Sequence, residues 1–273
     1  MTPYYTIALT MGRTFIRSAL IDEEGNILPN SFSIFSSKAT ESKEVIIQNI
    51  VKIIKFNINS ILSPEFKINH IVFAVPSPFN FKDGKSYLKN QGQYDAIYGV
   101  DLKEILQKEL ENLPTVHSKL SHQFSLHFEH DARLFELGEH ILREPYRQNK
   151  RVLYLMLDKT PGATLLDHGK VMSLKETEGL EEMMPLTQSN NERTKEVYEN
   201  ILESFVGILR PMIIDYSLKE IIAGGSFLLD YPRFSQHLNQ QLEIENIQVV
   251  SSEFTPYYIF FGFSKLITTQ LLE

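Results

Sequence analysis

A strand, a glycine turn, a second strand and a hairpin are written into this chain twice, and that duplication constrains the fold more than any other feature. The first copy runs Tyr4 to Leu9, a turn around Gly12, Phe15 to Ile21, then Asp22-Glu23-Glu24-Gly25-Asn26. The second runs Arg151 to Leu157, Asp158-Lys159-Thr160-Pro161-Gly162, Ala163 to Leu166, then Asp167-His168-Gly169. Short apolar runs bounded by Gly, Asp and Asn read as strands closed by tight turns. The correspondence is one of element order, not a sequence repeat of fixed period.

Each copy continues in helices and strands. After the first, Ile46, Ile50, Ile53, Ile54 and Ile58 recur at helical spacing within Ser42 to Ile61, and Ile71 to Val75 is of strand type. A loop from Asp83 to Gly99, a helix from Leu102 to Leu110 capped by Asp101, and a strand from Ser125 to Phe128 follow. After the second copy, Glu192 to Tyr216 is helical with a break or kink expected near Pro211, and Glu220 to Ala223 is a strand ending at Gly224-Gly225-Ser226. A helix over Asp230 to Leu242, a strand over Ile247 to Val250 and an amphipathic helix from Pro256 to Leu272 complete the chain. This order predicts an α/β protein of two close-packed domains, 1–120 and 121–273. The terminal helix, 257–272, is expected to pack across either half, including back onto the first.

Composition narrows the class. With 42% hydrophobic and 22% charged residues the chain is ordinary for a globular protein, and no apolar run approaches the roughly 20 residues that span a bilayer. No membrane partner is expected, and the first strand begins without a secretory leader, so a cytoplasmic protein is expected. The absence of cysteine excludes disulfides, thiolate metal sites and cysteine nucleophiles. A net charge of −7, with Lys and Arg dispersed, disfavours non-specific attraction to nucleic acid.

The most informative stretch is Phe128 to His140, FEHDARLFELGEH. Asp131 follows a strand and begins a helix with Leu134, Leu137 and Ile141 along one side, which is where open α/β sheets bind ligands. Taken with the order of elements, this stretch resembles the ROK family of bacterial sugar kinases and sugar-responsive repressors, over nearly the whole chain. Family members open with a phosphate turn DxGxT followed by IR-x-AL-x-D; here Thr10 to Asp22 reads TMGRTFIRSALID. The family's GVPGP looks like Ala74 to Pro78, its NL-x-GW loop like Asn90-Gln91-Gly92, and its ENDANAAALGE like Glu129 to Glu139. Its second phosphate loop, LGTGIGAG, corresponds to Leu157 to Thr164, and its LGGG to Ala223-Gly224-Gly225.

The resemblance implies a sugar-kinase-like, two-domain actin-like ATPase (ribonuclease H-like) fold. It implies ATP-dependent phosphorylation of a hexose-type sugar, with Asp131 as general base and magnesium beside the phosphates. Sugar contacts would come from His130, Asn90 and Glu181, and nucleotide contacts from Gly12, Arg13, Thr14, Lys159, Thr160, Gly162, Gly224 and Gly225. A homodimer is implied as well. DNA binding, known among the family's repressors, is not expected, because their helix-turn-helix precedes the first phosphate strand.

The departures are equally specific. Thr10 stands where the family carries a carboxylate, Asp158 and Pro161 stand in the second phosphate loop, and Met183 stands where the ExGHM histidine would be. No cysteine zinc loop follows, so no zinc of that type is expected. These changes motivate an alternative, a non-catalytic pseudokinase that senses a sugar or a protein partner.

Plainer roles compete for each residue. An Asp ahead of a helical run is often only a cap, and a glycine pair often only a turn. Arg13 and Lys159 are of the type usual on a surface, and His130 of the type satisfied by a backbone group. His117, His122, His127 and His140 are expected to be solvated, without a metal set. Tyr257, Tyr258, Phe260, Phe261 and Phe263 are expected in the core or a dimer contact.

Overall fold

The computed structural model describes residues 2–90, 92–143, 150–157, 162–168, 170–172, 195–225, 227–231, 233–242, 247–252 and 255–271. It divides into two compact units, Met1–Leu134 with Ile259–Glu273, and Phe135–Tyr258.

In the first unit β1 (Tyr4–Met11) and β2 (Phe15–Asp22) form an antiparallel hairpin, and β3 (Ser33–Ser36) extends it beyond β2. The helix α1 (Lys43–Ser60) follows, its first turn capped by Ser42, whose hydroxyl accepts the Val45 N–H. Ile46, Ile50, Ile53, Ile54 and Ile58 are buried from α1 against the sheet, each contributing about 2 kcal/mol by removal from water. One polar pair crosses that interface: Asn57 bonds the Ser18 hydroxyl at 2.9 Å and its own helix at Ile53 O, 2.8 Å. The strand β4 (Lys67–Val75) then runs parallel to β1.

A small hairpin, β5 (Phe79–Asn80) with β6 (Lys85–Ser86), runs into the segment expected as a loop, which also holds a short 3-10 turn at Asp95–Ile97. The helix α2 (Leu102–Glu111) begins where the sequence places it, the Asp101 carboxylate accepting the Glu104 N–H at 2.9 Å. A single turn, α3 (Pro114–His117), leads into β7 (Leu120–His130).

The strand β7 is longer than the expected Ser125 to Phe128 and lies parallel to β4, giving the order β3-β2-β1-β4-β7. The compact units divide at Leu134 rather than near residue 120, and β7, eleven residues beginning at Leu120, lies in the first sheet. The helix α4 (Asp131–Arg143) starts at the next residue, and the division falls inside it. The terminal segment Ile259–Glu273 clusters with the first unit, where Phe260 and Phe263 are buried and Phe260 meets the Phe32 ring at 5.3 Å.

The second unit repeats the plan. Its strands β8 (Arg151–Met156), β9 (Gly162–Asp167) and β10 (Lys170–Met172) form an antiparallel meander. The helix α5 (Lys195–Asp215) contains Pro211, and β11 (Glu220–Gly224) runs parallel to β8. The helix expected over Asp230 to Leu242 is two, α6 (Phe227–Asp230) and α7 (Phe234–Leu242), before β12 (Gln248–Ser251). The order β10-β9-β8-β11-β12 is the first sheet's order again, with the same antiparallel and parallel pairings. The chain ends in α8 (Thr255–Leu266) and a π turn, Ile267–Leu271.

Two glycines allow backbones to meet. In the second unit a Cβ on Gly138 of α4 would sit 1.8 Å from the Tyr258 carbonyl oxygen; in the first, one on Gly262 of α8 would sit 1.9 Å from that of Leu134. Gly138 belongs to the stretch around Asp131, and its presence there is explained by packing.

Candidate functional site

The register of the first sheet assembles one edge. Thr10 pairs with Ala74, Ala74 with Glu129 and Val75 with His130, so the carboxyl ends of the parallel strands β1, β4 and β7 finish nearly level. The β1–β2 turn, the Pro76 to Pro78 segment and the His130-Asp131 junction therefore emerge at the same edge, the usual ligand side of such a sheet.

At the junction, Asp131 is the first residue of α4 and its Oδ1 accepts the Ala132 N–H at 2.7 Å. The side chain is 16% exposed, so it is lined by protein yet reachable. His130 Nε2 lies 3.5 Å from the same oxygen, while the His130 ring meets Phe81 edge-on at 5.6 Å. Burial pulls the His130 imidazole down to about 4, so near neutral pH it is an uncharged donor and acceptor rather than a cation against Asp131. Glu129, which accepts the His130 N–H at 2.8 Å, is pushed above the usual carboxylate range by burial, with Arg133 opposing.

The β1–β2 turn is held from inside by residues that sequence reasoning missed. The Tyr94 hydroxyl donates to Gly12 O at 3.0 Å, the Ser37 hydroxyl donates to Arg13 O, and the Ser37 N–H donates to Thr14 O at 3.0 Å. Tyr94 and Ser37 are 0% and 2% exposed, and burial raises the Tyr94 phenol well above its ordinary value, keeping it a donor. Gly12 itself closes the turn, its N–H donating to Phe15 O at 3.1 Å; a Cβ there would come within 2.7 Å of that oxygen. No local sequence signal marks Ser37 or Tyr94, because they reach the turn only through tertiary folding.

Asn90 is exposed, with a left-handed φ of 59°, on the loop tied to the same edge at both ends: Tyr87 N–H bonds Pro78 O at 3.1 Å and Tyr94 bonds Gly12. No hydrogen bond joins Asn90 to His130 or Asp131 among the described residues. Of the second unit's candidates, Gly162 opens β9 opposite Met156. Gly224 ends β11, and Gly225 has φ +109° with its Cα against the Leu157 backbone, where a Cβ would approach the carbonyl oxygen to 2.5 Å. That glycine is required by close strand-end packing. Lys159, Thr160 and Glu181, with Asp158, Pro161 and Met183, lie outside the described residues.

The expectation of solvated histidines is corrected at two positions. His127 and His140 are half-buried, and His127 Nε2 shares the Ser125 hydroxyl, 2.7 Å, with His70 Nδ1, 2.8 Å. On β7 and β4 those residues face a partly covered surface of the sheet rather than open water. Burial first, then the charges of His70 and Lys103, lowers His127 to about 4, and burial lowers His70. A histidine held below its ordinary value is unprotonated in the fold but protonated in the unfolded chain between about 6.5 and 4, so its contribution is intact above that window and lost as pH falls through it. Glu129, held upward, works in the opposite sense. Chemical denaturation at pH 7.5 and 4.5 is expected to show a loss of about 2–4 kcal/mol, after discounting for partial exposure. His127→Gln should flatten that slope; an unchanged slope would remove His127 from the account.

Magnesium, which the resemblance implies, can be tested against the donor set. Thr10 is 8% exposed, and its hydroxyl oxygen is shut off from solvent without a hydrogen-bond partner. It offers neither charge nor an open lone pair at the end of β1, and Arg17 stands opposite it on β2, on the same face of the sheet. Among the described residues no group of three or more His, Asp or Glu is placed to hold a metal ion. The residues at the end of β1 do not fit a magnesium shell. Because the hydroxyl is unbonded, Thr10→Val is expected to leave stability unchanged or raise it by about 1 kcal/mol in chemical denaturation. A loss larger than that would show the hydroxyl to be bonded.

No family model matches the sequence, and no curated protein does. Solved structures do match. A ROK hexokinase from Thermus thermophilus is 13% identical, with 98% of this chain and 99% of that one covered at a TM-score of 0.62. A ROK family glucokinase from Streptomyces griseus, in complex with glucose and AMPPNP, is 12% identical, with 96% and 98% covered at 0.65. A ROK family transcriptional regulator, a homologue of the E. coli MLC protein, is 10% identical, with 98% and 80% covered at 0.64. At such identities it is the shared course of the backbone that carries the likeness. With two sheets of identical strand order and this similarity along almost the whole chain, the protein has the actin-like ATPase fold of the ROK sugar kinases.

Proposed function

We propose that this chain is a ROK-type, sugar-kinase-like protein whose first unit receives a hexose-type sugar at the carboxyl edge of its sheet. Asp131 accepts the proton of the attacking sugar hydroxyl as a phosphoryl group passes from ATP. The observation that supports this reading is the level ending of β1, β4 and β7, so that the half-buried Asp131 carboxylate after β7 and the Gly12 turn after β1 belong to the same edge of the sheet. Phosphoryl transfer relies mainly on positioning and charge stabilisation, so such an edge is the working part of the machine. Neutral His130 supplies a directional hydrogen bond to the sugar, with Asn90 and Glu181 as further contacts. Gly12, Arg13 and Thr14 serve the phosphates of the nucleotide, and the resemblance to the ROK family assigns Lys159, Thr160, Gly162, Gly224 and Gly225 to nucleotide contacts. The solved relative with bound glucose and AMPPNP supports this choice of ligand classes. We propose a cytoplasmic homodimer that binds neither DNA nor membrane; no helix among the described residues is long and apolar enough to cross one.

The test is ATP turnover against a panel of hexoses and amino sugars, with and without magnesium, alongside calorimetric titration of each sugar. Saturable, sugar-dependent formation of ADP is the expected result. Sugar binding without turnover would favour a second reading, a non-catalytic sensor, for which the neutral, shielded Thr10 is the specific motivation. Neither turnover nor sugar binding would overturn both.

A further inference from the structure

The structure leads us to infer that the β1–β2 turn is an anion seat that works without a protein-held divalent cation, with Arg13 as its counter-charge. This rests on the reading of Gly12, Arg13 and Thr14 as phosphate contacts and adds how the charge is met. The turn's carbonyl oxygens at Gly12, Arg13 and Thr14 are all engaged from inside by Tyr94 and Ser37. Across a planar trans peptide the N–H points opposite to the C=O, so the N–H groups of Arg13 and Thr14 are turned away from those donors. Among the described residues neither N–H donates to anything. Two successive N–H groups on the outer side of a turn form a small anion-binding concavity, which adjacent positive charge reinforces.

Charge at this end of the hairpin has one sign. Arg13 is half-exposed, and its guanidinium makes no hydrogen bond or ion pair among the described residues; the same is true of Arg17, which faces Thr10 across the strands. A divalent cation would have to sit beside these groups with only the shielded, neutral Thr10 hydroxyl from the end of β1. A phosphate, by contrast, meets free backbone donors, the exposed Thr14 and a planar fork of guanidinium N–H groups suited to its oxygens.

The experiment is calorimetric titration of the full chain with ADP and with pyrophosphate, in excess EDTA and in excess magnesium, for the native protein and Arg13→Gln. Expected are dissociation constants in EDTA within about threefold of those in magnesium, and a weakening of about tenfold or more in Arg13→Gln, the size of one lost charge-assisted contact. Circular dichroism and the melting temperature of Arg13→Gln should match the native protein, because the side chain bonds nothing among the described residues. A more than tenfold loss of affinity in EDTA would overturn the inference while leaving the turn as a phosphate site. Native affinity in Arg13→Gln would overturn the role of Arg13. No binding of either probe in either buffer would remove the phosphate reading of the turn itself.

Discussion

Asp131→Asn is expected to lower sugar-dependent turnover by about 10²–10⁴-fold while leaving sugar affinity within a few-fold of native. The asymmetry comes from what the substitution removes. Asparagine keeps an oxygen where Oδ1 accepts the Ala132 N–H, so the helix start is retained and stability should change by less than about 1 kcal/mol. What it cannot do is take a proton. Because the His130 imidazole is held neutral by burial, it does not serve as a charged partner that Asp131 must neutralise. Steady-state kinetics resolves the prediction into its two parts: the fall should appear in kcat, with KM and the directly titrated dissociation constant little moved. Unchanged kcat would reduce Asp131 to a helix-start residue.

Gly138→Ala is expected to destabilise the protein by about 3–5 kcal/mol, because the added Cβ makes, with that at Gly262, the closest backbone approach of any described glycine. The added Cβ would lie 1.8 Å from the Tyr258 carbonyl oxygen and 2.6 Å from its carbon. Both are backbone atoms, so relief cannot come from a side chain swinging aside; two helices must separate by more than 1 Å and surrender dispersion contacts along their length. Guanidinium denaturation reads the loss directly. A change below about 1 kcal/mol would show that the contact dilates easily. Gly138 would then owe its place beside Asp131 to something other than packing.

How much of this was legible varies residue by residue. The hairpins were legible because short strands of alternating or continuous apolar character end at Gly and Asp turns, a signal carried by neighbours in sequence. The cap at Asp101 was legible for the same reason, whereas the cap at Ser42 emerged only with the structure. The end of the first unit was not: β7 reaches from Leu120 because it is paired with β4, and the polar His122-Gln123 within it hides that strand from any local pattern. The solvation expected of His127 failed likewise, since its partners His70 and Ser125 come from elsewhere in the sheet.

By itself the sequence determined the repeated α/β plan, the strand-to-helix placement of Asp131 and the neutral residue at position 10. Each follows from residue type and near-neighbour spacing, through which backbone dihedrals, turn chemistry and side-chain charge act. Only the tertiary structure decided that β1, β4 and β7 end level, that Ser37 and Tyr94 hold the β1–β2 turn from inside, and that the Thr10 hydroxyl is left without a partner. Those facts depend on strand register and on contacts between residues up to 82 positions apart, as with Tyr94 and Gly12, and such contacts are set by which buried faces pack together.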